Sequence, residues 1–195
     1  RIDWNIAKEV TKTMEQLTPM MQQYMETKNE YKDCILFYRL GDFYEMFFDD
    51  AVIVSRELEL TLTGRDCGLE ERAPMCGVPH HACDVYLKKL IDKGFMVAIC
   101  EQTEDPSQAQ GLVKREVVRV VTPGTLIESS MLDETQNNYI CSAFYKDNEI
   151  SLCMADISTG EVHLYLFSGK DSVSNAVNEL SRFEPVEVLI NDEVL

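Results

Sequence analysis

Residues 43–45 combine an aromatic ring and a carboxylate at a spacing that could recognise nucleic acid. The run FYRLGDFYEMF at residues 37–47 is typical of two strands separated by a Gly-Asp break. Because side chains alternate between the faces of a strand, Phe43 and Glu45 share one face. A flat apolar ring beside a hydrogen-bond acceptor suits a protein that wedges into a base stack and tests one base edge. The alternative is a half-buried strand in which Phe43 belongs to the core and Glu45 is a solvated edge charge.

Two other groups of side chains offer ligands for a metal ion. The first supplies the nitrogen and sulfur donors that zinc prefers. Its members are Cys76, His80, His81 and Cys83. Their C-x3-H-H-x-C spacing is not a usual structural zinc pattern, and the segment crosses from a strand end into a helix, so the side chains diverge. The second group is a carboxylate cluster that would make the domain nuclease-like. Its members are Asp42, Glu45, Asp49 and Asp50.

The charge of the chain restricts which part of it could approach a polyanion. The formal net charge is −16, whereas phosphate contacts usually dominate affinity for nucleic acid. Residues 1–122 carry 15 Lys and Arg against 21 Asp and Glu, and residues 123–195 carry 3 against 13. The acidic excess is therefore concentrated in the C-terminal part. We expect only the N-terminal part to approach DNA, and weakly when isolated.

The composition is that of a globular domain in a reducing compartment. Hydrophobic residues make up 45% of the chain, with only 9 Gly and 6 Pro, which excludes a disordered class. The sequence has no apolar run of membrane-spanning length and no charged-then-apolar leader. Its 7 cysteines are scattered without CxxC pairs, so we expect no disulfide framework. Because the chain opens at Arg1 rather than Met, we expect a segment of a longer protein.

Hydrophobic periodicity predicts strands interleaved with helices, which is the pattern of an α/β fold. Thr18 is the expected N-cap of the first helix, with Pro19 at its first position. Two strands at 34–40 and 43–48 follow. Asp49-Asp50 is then expected to cap a helix over residues 51–59. The remaining predicted elements of this part are a strand at 60–63, a polar loop at 64–72, an apolar segment at 73–79, a helix at 81–93 and strands at 95–100 and 116–121.

A Pro-Gly break and a polar stretch predict a domain boundary at residues 123–138. Beyond it the pattern predicts a β-β-β-α-β order, which resembles the start of an RNase H-like domain that is cut short at residue 195. Its elements are strands at 139–145, 150–157 and 161–167, a helix at 171–182 and a strand at 186–190. The predicted organisation is therefore a leader at 1–16, a first domain at 17–122, a linker at 123–138 and an incomplete second domain at 139–195.

Five blocks of sequence, in order, resemble the N-terminal region of the bacterial DNA mismatch-repair family MutS. The blocks read TPMMQQY, FYRLGDFYE, APMCGVPHHA, VAICEQ and VVRVVTPGT. The likeness runs from about residue 17 to the end of the chain. It implies that residues 17–122 form the mismatch-recognition domain, a mixed sheet flanked by helices. It also implies that residues 139–195 are part of an RNase H-like connector domain.

The same resemblance assigns roles to individual residues. The Phe-x-Glu motif of the family falls on Phe43 and Glu45. The resemblance implies that Phe43 enters the minor groove and stacks on a mispaired base, while Glu45 hydrogen-bonds to that base. Arg65, in a loop, and His81, at an expected helix start, are candidates for contacts to backbone phosphates.

The resemblance also implies partners for the whole family protein. They are mismatched or bulged double-stranded DNA, a MutL-type protein bound through the connector domain, and a second copy in a homodimer. The family protein has an ATPase domain that uses ATP and Mg²⁺. The sequence contains no G-x-x-x-x-G-K-[ST] loop, so ATP binding is expected outside these residues. We expect no cofactor, no catalytic residue and no enzyme activity in this segment, and a cytoplasmic, nucleoid-associated protein.

Overall fold

The computed structural model describes residues 16–104, 111–133 and 135–192. The chain divides into two compact units between residues 121 and 122. The first unit is built on a six-stranded sheet and the second on a four-stranded sheet. The leader predicted at 1–16 lies outside the described residues, apart from Gln16.

The first unit is a mixed sheet with helices, as the sequence predicted. Its helices are α1 (Pro19–Glu30), α2 (Phe48–Glu57) and α3 (Cys83–Ile91). Its strands are β1 (Cys34–Leu40), β2 (Phe43–Phe47), β3 (Thr63–Arg65), β4 (Ala73–Pro79), β5 (Met96–Gln102) and β6 (Arg115–Val121). The strand order is β3-β4-β2-β1-β5-β6, in which β1 and β5 pair in parallel and the other neighbours are antiparallel.

Helix α1 covers one face of this sheet. Its buried Met21 and Tyr24 belong to a core cluster with alternate residues of the central strands, among them Tyr38 and Phe47. The intervening residues point to the opposite face. There the Cys76 thiol donates to the Ala51 carbonyl oxygen of α2 at 3.5 Å. The alternation that placed Phe43 and Glu45 together therefore assigns both to the α1 side.

The predicted cap of α2 was wrong. The helix begins at Phe48 and shows no side-chain cap hydrogen bond, and both Asp49 and Asp50 lie inside its first turn. Asp50 is only 4% exposed. Its carboxylate accepts hydrogen bonds from the Leu36 amide and from the Lys28 ammonium, each at 2.9 Å. These buried partners hold Asp50 in the interior, where it cannot cap the helix end.

Two other predicted elements are shifted, and a third is more regular than expected. The strand expected at 60–63 lies at Thr63–Arg65 instead. The apolar segment at 73–79 is the full strand β4, because both β2 and β3 pair with it. The helix expected over 81–93 begins as a 3-10 turn at His80–Ala82 before α3.

The second unit has the β-β-β-α-β order predicted from its sequence. Its elements are β7 (Tyr139–Lys146), β8 (Glu149–Asp156), β9 (Glu161–Ser168), α4 (Ser172–Phe183) and β10 (Glu187–Ile190). The strand order is β10-β7-β8-β9, with β10 parallel to β7. Its core cluster joins strand residues such as Leu152 and Met154 to Ala176 of α4. In the described ranges of the whole chain, no helix has the length and apolar character needed to cross a membrane.

Candidate nucleic-acid interface

Phe43 lies at the exposed end of the sheet face that α1 covers. Its side chain is 45% exposed, whereas Phe47 on the same face is 1% exposed. The Tyr24 ring of α1 packs edge-on against the Phe47 ring, with centroids 4.9 Å apart. The alternative that placed Phe43 in the core is therefore wrong. A large ring remains in solvent beside a well-packed core.

The backbone around Phe43 is paired on both sides. Phe43 faces Leu40 on β1 and Pro79 on β4. A two-residue turn joins β1 to β2, and its first residue, Gly41, has φ +57, a conformation that glycine adopts readily. The His80 amide donates to the Asp42 carbonyl oxygen at 2.9 Å and closes the same end of the sheet.

The opposite side of β2 is also anchored. Tyr44 is buried there and its hydroxyl hydrogen-bonds to the Glu101 carboxylate of β5. Burial raises the pKa of the Tyr44 hydroxyl, and the hydrogen bond to Glu101 raises it further, so the hydroxyl stays a proton donor. The Arg39 guanidinium lies 5.6 Å from the Tyr44 ring centroid and 3.7 Å from the Glu101 carboxylate. These contacts fix the strand that carries Phe43.

Glu45 forms an ion pair and is not the solvated edge charge of the alternative interpretation. The Arg65 guanidinium donates from Nη1 to Glu45 Oε2 at 2.6 Å. The Glu45 side chain is 17% exposed and that of Arg65 is 39% exposed. Arg65 is on β3, two strands away from Glu45 in the sheet. The structure therefore brings together two of the four residues that the sequence singled out.

Gly77 lies directly across from Glu45 on β4. A Cβ atom on Gly77 would lie 3.4 Å from Glu45 Cγ and 3.3 Å from the Tyr44 carbonyl oxygen. The glycine therefore leaves the space that the Glu45 side chain uses. The sequence analysis missed this residue. A prediction of 73–79 as a strand antiparallel to β2 would have aligned the two positions.

His81 is exposed in the 3-10 turn that follows β4. Its ring is 5.9 Å from the His80 ring, centroid to centroid. His80 Nδ1 in turn lies 3.2 Å from the Asp42 carbonyl oxygen, next to Phe43 in the chain. The two histidines therefore lie at the end of the sheet that presents Phe43.

The two metal-dependent alternatives find no support in the geometry. Across the described ranges, no three His, Cys, Asp or Glu side chains are grouped closely enough to hold a metal ion. Cys76 is buried against α2, whereas His81 is exposed. The carboxylates are equally dispersed, because Glu45 pairs with Arg65 and Asp50 pairs with Lys28.

Each of the two α/β units corresponds to a domain of one protein family. A family model described as MutS domain I matches residues 18–130, and one described as MutS domain II matches residues 138–195. The chain belongs to the MutS family.

Individual relatives agree with the family match. The chain is 57% identical over 180 residues to a DNA mismatch repair protein MutS of Acetivibrio thermocellus, which covers 92% of this chain and 21% of the relative. Identity to the protein of the same name in Ruminiclostridium cellulolyticum is 56% over 178 residues, with 91% and 20% covered. For Clostridium tetani it is 54% over 180 residues, with 91% and 20% covered. The chain thus spans about a fifth of the length of the relatives it matches.

Proposed function

We propose that this chain is the mismatch-recognition and connector part of a DNA mismatch repair protein, and that its first unit binds mismatched or bulged double-stranded DNA. The names of its relatives support the repair role. The observation that carries the site is the exposed ring of Phe43, which is 45% exposed at the end of a strand whose other large side chains are buried. Such a ring has little packing role in the unit itself.

Phe43 acts in this proposal as a minor-groove wedge. Apolar wedges kink duplex DNA by about 20–90°, and unstacking one base step costs a few kcal/mol. A mispaired step stacks poorly and bends easily, so less energy is needed to open it. Stacking of a ring on a base returns about 1–3 kcal/mol and tolerates any base. The wedge therefore favours damaged geometry and not a particular sequence.

Glu45 tests the base that Phe43 displaces. A carboxylate accepts hydrogen bonds and donates none when ionised, so it favours a mispaired base with a free donor. Its charge is repelled by phosphates, which disfavours duplexes that offer no such donor. His81 is proposed as a phosphate contact at the same end of the sheet. Arg65 has further N–H groups besides the one that Glu45 engages, and these could reach a phosphate.

The proposed role of this segment is binding and not catalysis. By family membership, ATP and Mg²⁺ would be bound elsewhere in the whole protein, which would act as a homodimer. The second unit is proposed as the connector that a MutL-type protein contacts.

The test is Phe43→Ala in the full-length protein, with Phe144→Ala as the matched control. Phe144 is a ring of similar exposure, 48%, on the sheet of the second unit. The quantity measured is the ratio of Kd values for matched and mismatched duplexes of equal length. Loss of ring stacking predicts that Phe43→Ala lowers this ratio by about 5- to 150-fold, while Phe144→Ala leaves it unchanged. A folded Phe43→Ala protein that keeps its mismatch preference would overturn the proposal.

A further inference from the structure

The carboxylate of Glu45 is held through one of its two oxygens. Oε2 accepts the hydrogen bond from Arg65 Nη1 at 2.6 Å. Among the residues that the structure describes, none donates a hydrogen bond to Oε1. The described part of the protein thus engages one oxygen of this carboxylate and supplies no donor to the other.

The arginine that holds Glu45 is itself supported by the core. The Arg65 guanidinium carbon lies 6.0 Å from the centroid of the Phe47 ring, within the range of a cation–π contact. Phe47 is 1% exposed and fixed by Tyr24. The guanidinium that binds the Glu45 carboxylate is therefore placed against the core.

Gly77 completes this arrangement from the neighbouring strand. A Cβ atom at this position would lie 3.4 Å from Glu45 Cγ and 3.3 Å from the Tyr44 carbonyl oxygen. The second contact is tight enough that its neighbour would have to give by a few tenths of an ångström. The absence of a side chain at Gly77 allows Glu45 to lie across β4 toward Arg65.

We propose that Arg65 is a positioning residue for mismatch selectivity and that it acts through Glu45. By holding Oε2, it limits the rotamers of Glu45 before DNA arrives and leaves Oε1 for the base beside Phe43. An unrestrained glutamate would lose its rotamer freedom when DNA binds, and this loss of entropy would oppose association. This inference rests on the proposed function.

A direct phosphate contact by Arg65 predicts a different result. Such a contact strengthens binding to every duplex about equally. It also makes the negative slope of log K against log salt concentration steeper by about 0.9. A residue that acts through Glu45 changes the ratio of the two Kd values instead. Substitution of such a residue also has little effect on this ratio once Glu45 is replaced by a residue that Arg65 cannot hold.

The experiment is a double-mutant cycle in the full-length protein, with Arg65→Met, Glu45→Ala and the double variant. Kd values for matched and mismatched duplexes are measured at several salt concentrations. We expect Arg65→Met to lower the mismatch preference by about 3- to 10-fold, and by less than about 2-fold in the Glu45→Ala background, which leaves Arg65 no acceptor at this position. Arg56→Met removes the same charge from an exposed site on α2, where the side chain is 72% exposed, and is expected to have no effect on the preference.

Two further variants distinguish the loss of the contact to Glu45 from a general loss of structure. Arg65→Lys should keep more of the mismatch preference than Arg65→Met does. Its ammonium group can donate to Oε2 in place of the N–H of Nη1. Gly77→Ala should lower the preference by displacing Glu45.

The outcomes separate this inference from the proposal on which it rests. Equal weakening on both duplexes with a smaller salt slope would show that Arg65 contacts phosphate, and would overturn the positioning role. An Arg65→Met effect of equal size in the Glu45→Ala background would also overturn it. If Phe43→Ala keeps the mismatch preference, the proposed function itself fails. If Phe43→Ala loses it and Arg65→Met does not, only the inference fails.

Discussion

Phe43 and Phe47 are the same residue type on the same face of the same strand, yet one is 45% exposed and the other 1%. Phe47 lies under α1, where Tyr24 packs against its ring. Phe43 lies four residues earlier, at the end of the strand next to the Gly41 turn. The difference shows that coverage by the helix, and not residue type, divides this face into a covered half and an exposed half.

The largest effect is expected from truncating the two rings in turn. Phe47→Ala should lower the free energy of unfolding by about 3–5 kcal/mol, because it opens a cavity in the core. Phe43→Ala should change it by no more than about 0.5 kcal/mol, as for other exposed positions. Urea unfolding followed by circular dichroism measures both values. A loss of several kcal/mol in Phe43→Ala would contradict the division.

A pH dependence is expected from the covered half, where Asp50 is buried. Burial raises the pKa of the Asp50 carboxyl, although hydrogen bonds from the Leu36 amide and Lys28 act in the opposite direction. The folded-state pKa of Asp50 therefore lies above the unfolded value of about 3.9. The contribution of the protonated carboxyl to the free energy of unfolding is complete below about pH 3.9, and it is lost as pH rises through the folded-state pKa. Relative to Asp50→Asn, the unmodified protein should therefore lose stability with rising pH, by at most about 1.4 kcal/mol per pH unit.

This prediction is checked by measuring the unfolding free energy of both proteins between about pH 3.5 and pH 7. The mismatch preference of Asp50→Asn, measured at neutral pH, should equal that of the unmodified protein. A stability difference that stays constant across this range, or that favours the unmodified protein as pH rises, would contradict a raised pKa of the Asp50 carboxyl in the folded state.

Within the covered half, the smallest effect is expected from Tyr24→Phe, which leaves the ring over Phe47 and removes only the hydroxyl. That hydroxyl lies 3.4 Å from the Phe47 carbonyl oxygen and 3.5 Å from Asp50 Oδ2. Its loss should lower the free energy of unfolding by about 0.5–1.5 kcal/mol. The Kd ratio should not change, because the variant affects the covered half alone. A clear change in that ratio would show that the two halves are coupled.

Much of the fold could be predicted from local patterns. Period-two alternation placed Phe43 and Glu45 on one face, and turn residues separated the strands of both units. The role of Asp50 could not be predicted, because an aspartate at a helix start suits a cap and a buried acceptor equally well. Its actual partner, the Leu36 amide, lies 14 residues earlier in the chain and reaches it only through tertiary packing.

The geometry of the candidate site could be predicted only in part. The exposure of Phe43 depends on how far α1 extends over the sheet, which no local pattern contains. The ion pair between Arg65 and Glu45 spans 20 residues and two strands. It can be inferred only once the strand order places β3 beside β4 and β4 beside β2. Until β4 is known to pair with β2, nothing in the sequence identifies Gly77 as the neighbour of Glu45.

The double-sided pairing of β2 has a consequence for the thermodynamics of binding. A loop that inserts into DNA must become ordered when it binds, which opposes association by about 1–2 kcal/mol for each backbone residue fixed. Phe43 starts a strand that is hydrogen-bonded to β1 and to β4, so this ordering has already occurred during folding. If Phe43 inserts as proposed, ordering of this strand adds nothing to the other costs of association, and the stiffness of the DNA sets the difference between duplexes. Discrimination would then follow the mechanics of the duplex, and the softest step would bind best.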